Sequence, residues 1–133
     1  MVFGSFDGIH PGHLYFLKKA KSLGDHLTIL IARDETIHHL KKKKPVFSTD
    51  ERKRQIMNLD IADEVIIGSV TDVYEGIRKV KPQIIALGYD QIFFTQHLQE
   101  RLAENGINIT VIRIGPFQEK IYKSSLLKKS KDL

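Results

Sequence analysis

Five short runs of apolar, mostly β-branched residues, separated by stretches with helical spacing, constrain this chain more than any other feature. The runs are Met1–Phe3, Leu27–Ala32, Val65–Ile67, Ile84–Leu87 and Ile109–Ile114. Their residues are apolar at successive positions rather than alternating, which is the pattern of strands covered on both faces. The first is short, either a stub that the sheet tolerates or the end of a longer strand. Between the runs, Leu14–Leu23 places Leu14, Leu17, Ala20 and Leu23 on one face, with Gly24 positioned to close the helix. Ser48 to Glu51 reads as a capped start for a helix running to about Leu59. Thr71 or Asp72 is positioned to cap a third helix that Pro82 ends. A fourth spans Ile92 to Asn105, closed by Asn105-Gly106, and Ser124–Lys129 opens a short last one. This order predicts a single domain over residues 1–133, with a Rossmann-like, doubly wound, five-stranded parallel sheet. Ligands of such sheets bind beyond the carboxyl ends of the strands, where the strand order reverses.

Composition narrows the chemistry. The chain has no cysteine, which excludes disulfides and thiolate catalysis and leaves metal ligation to histidine and carboxylates. No apolar run approaches the roughly 20 residues of a membrane span. Met1 leads directly into Val2-Phe3-Gly4, so no cleavable targeting segment is expected, and a cytoplasmic setting fits. The net charge of +5 favours anionic partners. There is no tryptophan and no interleaving of basic with aromatic residues, so nucleic acid is not the expected partner.

Chemistry concentrates in Gly4-Ser5-Phe6-Asp7-Gly8-Ile9-His10-Pro11-Gly12-His13, which leaves the first strand and opens a helix. Unpaired backbone N–H groups at a helix start attract phosphate. Gly4 and Gly8 permit tight turns, Pro11 suits a first helical position, and Gly12 leaves room above the helix end. His10 and His13 emerge on one side of the terminus, where two imidazoles donate to phosphate oxygens, either or both cationic when phosphate is bound. A lone histidine there is usually only a cap; two flanking Pro-Gly after this turn point to function. A zinc site from Asp7, His10 and His13 is the rival reading, but it lacks a fourth ligand and the i,i+4 histidine spacing.

GSFDGIHPGH resembles the signature of the HxGH nucleotidyltransferase superfamily, which includes cytidylyltransferases, several adenylyltransferases and FAD synthetases. Lys44-Pro45-Val46-Phe47-Ser48 with Glu51-Arg52 resembles a second motif of that superfamily, and Tyr122-Lys123-Ser124-Ser125 its closing one. Leu87-Gly88-Tyr89-Asp90-Gln91 resembles the archaeal-type FAD synthetases, and the closing motif departs from the cytidylyltransferase pattern. The resemblance implies transfer of AMP from ATP to a phosphorylated acceptor, FMN first, giving FAD and pyrophosphate. CTP with glycerol 3-phosphate is the alternative, and a non-catalytic nucleotide- or RNA-binding module the rival from another class.

By the same resemblance, His10, His13 and Lys44 are catalytic. Ser5, Phe6, His10, Pro11, Gly12, His13, Gly88, Asp90, Tyr122, Ser124 and Ser125 hold the nucleotide, with Tyr122 either stacking there or packing in the core. Asp7, Lys44 and Arg52 meet the acceptor phosphate, Mg²⁺ accompanies ATP, and the assembly is a homodimer. Lys41 to Lys43, Lys53, Arg54, His26, His38, His39 and His97 read as surface.

Overall fold

The computed structural model describes residues 1–68, 74–89, 91 and 97–117. Five strands are present: β1 (Val2–Gly4), β2 (Thr28–Ile31), β3 (Glu64–Ile67), β4 (Ile84–Gly88) and β5 (Thr110–Ile114). Each falls within a residue or so of an apolar run identified from the sequence. The helices are α1 (Pro11–Lys21), α2 (Asp34–Lys41), α3 (Thr49–Asn58), α4 (Glu75–Val80) and α5 (Leu98–Glu104).

β1 pairs with β2, β2 with β3, and β4 with β5, all parallel. The two groups meet along β1 and β4, where the Met1 ammonium donates to the Ile84 carbonyl at 2.9 Å and the Ala86 N–H to the Met1 carbonyl at 3.0 Å. The spatial order is therefore β3-β2-β1-β4-β5, reversing between β1 and β4 as in a doubly wound sheet. Side chains alternate across it. Val2 and Ala86 join Leu17, Ala20, Ile29, Ile31 and Ile56 on the face covered by α1 and α3. Met1, Phe3, Ile85 and Leu87 join Ile77, Leu98 and Leu102 on the face covered by α4 and α5. Burial on both faces is why the central strands β1 and β4 lack a polar alternate.

Helix boundaries follow local chemistry with instructive exceptions. Ser48 caps α3 through the Glu51 N–H at 3.2 Å, as its sequence indicates. Gly106 takes φ of 77° behind α5, the left-handed closing position assigned to it. Helix α1 ends at Ser22 with right-handed backbone, so Gly24 does not close it. Helix α2 was not evident: its first turn carries Asp34 and Glu35, but its histidines and lysines gave no apolar stripe. The expected caps Thr71 and Asp72, residues 92–96 and the last helix at Ser124–Lys129 lie outside the described residues.

Candidate active site

The loop between β1 and α1 closes through unusual caps. His10 stands at the N-cap of α1 with extended backbone, and its Nδ1 accepts the Gly12 N–H at 3.1 Å and, more weakly, the His13 N–H at 3.4 Å. His13, three residues on, accepts the His10 N–H on its own Nδ1 at 3.2 Å. This is the reciprocal capping box usually built from Ser or Thr and Glu, here made by two imidazoles. The rings stack with centroids 3.7 Å apart, and Phe6, itself buried, meets His13 edge-on at 5.4 Å.

The caps dictate the tautomers. A ring nitrogen that accepts a backbone N–H carries no proton, so each neutral imidazole carries its proton on Nε2. The helix start thus holds two Nε2–H donors on stacked rings, where the backbone already favours an anion. Pro11 fills the first helical position, where no amide hydrogen is required.

Gly12 has a more specific reason to be glycine than space for a ligand. A Cβ there would stand 2.9 Å from His10 Cε1 and 3.1 Å from Nδ1. Gly12→Ala is therefore expected to push the His10 ring off its cap. Turnover should fall roughly tenfold or more, as a donor misplaced by about 1 Å costs that order, while thermal unfolding stays within a few degrees of the parent. Parallel kinetics and melting curves check this; unchanged turnover would refute the assigned role of the ring.

The loop before α3 is fastened to this turn from both sides. The Asp7 carboxylate accepts the Val46 N–H at 2.7 Å and the Phe47 N–H at 2.8 Å. Arg52 is fully buried and donates to the carbonyls of Ser5 at 2.8 Å and Phe47 at 3.1 Å, to Asp34 at 2.7 Å and to Thr49 Oγ1 at 3.2 Å. Asp34 is held below the usual carboxylate range, chiefly by its hydrogen bond from Arg52. Two expected acceptor contacts are thus engaged elsewhere: the Asp7 carboxylate is committed to a neighbouring loop, and the Arg52 guanidinium is turned inward. Neither was separable from a ligand contact by spacing alone, because both Asp7 partners and two of the Arg52 partners, Ser5 and Asp34, are distant in sequence. Lys44 is exposed on the fastened loop, two residues before Val46.

Gly88 ends β4, and Gln91, which the sequence reading left without a role, reaches back to it through its side chain. Asp90, Tyr122, Ser124 and Ser125 lie outside the described residues. Among the described residues no three His, Asp or Glu side chains cluster to hold a metal ion. Both ring Nδ1 atoms and the Asp7 carboxylate accept backbone N–H groups. His26 and His38 are exposed, as is His97, which lies 3.3 Å from Glu100; the His39 side chain is outside the description.

A parallel sheet whose order reverses beside a histidine-capped helix start defines a nucleotide-handling α/β class, and comparison with known families agrees. The family model for cytidylyltransferase-like proteins matches residues 1–130, and the chain belongs to that family. Within it, the chain is 44% identical over 111 residues to the FAD synthase of Methanosarcina barkeri, covering 84% of this chain and 78% of that protein. It is 40% identical over 137 residues to the FAD synthase of Methanolacinia petrolearia, covering 98% and 91%. The FAD synthase of Thermococcus onnurineus is 44% identical over 129 residues, covering 96% and 83%. Among solved structures, the lipopolysaccharide core biosynthesis protein of Thermoplasma volcanium GSS1 superposes with a TM-score of 0.83 at 38% identity, covering 88% of this chain and 95% of that one.

Proposed function

We propose that this chain is an FMN adenylyltransferase, transferring AMP from ATP to FMN to give FAD and pyrophosphate. The chemical step is supported above all by the paired Nε2–H donors of His10 and His13 at the start of α1. The acceptor is supported by identity of 40% or more, across most of the chain, to proteins named FAD synthase.

An FMN phosphate oxygen attacks the α-phosphorus in line. The new P–O bond forms as the bond to the bridging oxygen of the β-phosphate breaks, and the electron pair leaves with pyrophosphate. Such transfers need alignment and donors where charge grows, not a nucleophilic side chain. His10 and His13 donate to the oxygens of the transferring group. Ser5 and the Phe6 backbone, with Pro11 and Gly12 shaping the helix start, cradle the phosphates. Lys44 neutralises charge on the acceptor or triphosphate, and Ser124 and Ser125 hold the β/γ end. Gly88 and Asp90 meet the nucleoside, and Tyr122 packs beside it. Asp7 and Arg52 serve the site by holding its loops together. Mg²⁺ enters as part of the MgATP substrate, where it screens the triphosphate charge.

One domain over residues 1–133, a homodimer and a cytoplasmic location belong to the same proposal; no helix among the described residues is long and apolar enough to cross a membrane. The solved relative named for lipopolysaccharide core biosynthesis shares the fold at 38% identity, so the fold by itself does not choose the acceptor. Pyrophosphate release, measured with ATP and CTP against FMN and glycerol 3-phosphate, tests the reading. Release with ATP and FMN, with FAD accumulating, is expected. Release with CTP and glycerol 3-phosphate alone would overturn it, and nucleotide binding without release would favour a binding module.

A further inference from the structure

The sheet is not equally closed along its middle. At the amino ends of β1 and β4, two bonds set a parallel register with Met1 opposite Ile85. Two residues further on, that register calls for the Gly88 N–H to bond the Phe3 carbonyl. The Gly88 N–H instead donates to Gln91 Oε1 at 2.7 Å, and Gln91 Nε2 donates to the Phe3 carbonyl at 3.0 Å. One side-chain carboxamide thus stands in for a backbone hydrogen bond between the two strands. This bridge lies at the carboxyl ends of the two central strands, where open α/β sheets take their ligands. Its β4 side is braced as well: Arg113 donates to the carbonyls of Gly88 at 2.7 Å and Gln91 at 2.8 Å.

We propose that Gln91 is a positioning residue for nucleotide binding. Its carboxamide holds β1 and β4 at a set separation, so that the loop leaving β1 and the turn leaving β4 receive the nucleotide without first having to part. The inference rests on the adenylyltransferase reading for the identity of the ligand. The chemistry requires an amide, because one strand presents a donor to the gap and the other an acceptor. Glutamate would set a second acceptor against the Phe3 carbonyl, and asparagine is one methylene short. A crevice braced before binding spares the ligand the cost of opening it.

The test uses the full chain, with MgATP as the probe in a binding titration, alongside steady-state kinetics and melting curves. Gln91→Glu is expected to weaken MgATP binding and raise its KM by about tenfold, the scale of one lost hydrogen bond. The KM for FMN and kcat should change much less, because the histidine pair is untouched. A fall in melting temperature with MgATP affinity within about twofold of the parent would overturn the proposal and leave Gln91 a structural brace. Should Gln91→Glu not fold, Gln91→Asn carries the same criterion with a smaller expected loss. If the parent binds MgATP but releases no pyrophosphate with FMN, the acceptor reading falls, and the titration still decides the role of Gln91. A parent chain that does not bind MgATP overturns both.

Discussion

His10→Asn is expected to leave stability near that of the parent while lowering kcat by about 10²–10³, the usual cost of removing one transition-state donor. The reason lies in the two nitrogens of one ring. Nδ1 caps the helix through the Gly12 and His13 N–H groups, and an asparagine carbonyl serves as well as any side chain at that position. Nε2–H, the atom assigned to the transferring phosphate, has no counterpart in asparagine. His10→Ala loses both, so the same rate loss should come with about 1 kcal/mol of stability, the ordinary value of a cap. His10→Gln extends an amide donor toward the Nε2 position without the cap, and should recover part of the rate without the stability. Single-turnover kinetics at saturating MgATP, paired with thermal unfolding, separate these three. Retention of the parent's kcat in His10→Asn would remove the ring from the chemistry.

Arg52→Ala is expected to cost about 3–5 kcal/mol, since it empties a fully buried site and leaves two carbonyls without this donor at about 1–3 kcal/mol each. Against a total stability of roughly 5–15 kcal/mol, the variant sits at the edge of folding. The loss is large because the guanidinium is buried and serves the carbonyls of Ser5 and Phe47 together with Asp34 and Thr49. Its removal leaves those carbonyls unmet and unties the Lys44 loop from the turn after β1. Arg52→Lys recovers only part, because an ammonium is a point charge without the planar fork. Denaturant unfolding measures the cost. A residue that gripped the acceptor would instead raise its KM and leave stability unmoved, and that result would reverse the assignment.

The same clamp has an acid limit. Asp34 titrates below its ordinary range in the folded chain, so its contribution is present above the unfolded carboxylate pKa, near about 3.9, and is lost as pH falls through the lower, folded value. Asp34→Asn should therefore be less stable than the parent at neutral pH, with the difference shrinking as the medium is acidified. Because Asp34 is half-exposed, the effect is read as a trend in melting temperature against pH.

Much of the site's chemistry was legible because it is local. Gly-Ser-Phe-Asp after an apolar run, then His-Pro-Gly-His, marks a strand, a turn and a helix start within thirteen residues. Spacing of three put the two histidines together, and they do cap each other. What spacing does not carry is which nitrogen faces the backbone, and hence which carries the proton. Asp7 and Arg52 show the limit from the other side. Both are polar residues in motif positions, and both looked like ligand contacts. Their partners lie 39 and 40 residues away for Asp7, and 5, 47 and 18 residues away for the carbonyls and carboxylate that hold Arg52. The α2 helix escaped notice because a short polar helix rests on tertiary packing and carries little periodic signal of its own.

The sequence by itself determined the strand order along the chain, the doubly wound class, the position of the phosphate-handling turn and the pairing of His10 with His13. Those properties depend on periodicity, caps and turn residues, which act over three or four positions. Only the tertiary structure decided that Arg52 is an inward clamp, that Asp7 fastens the Lys44 loop, and that Gln91 bridges β1 and β4 across 88 residues of chain. Hydrogen bonds saturate and point in fixed directions, so a polar side chain is assigned only when its partners are known. The fold, by choosing which strands and loops become neighbours, chooses those partners.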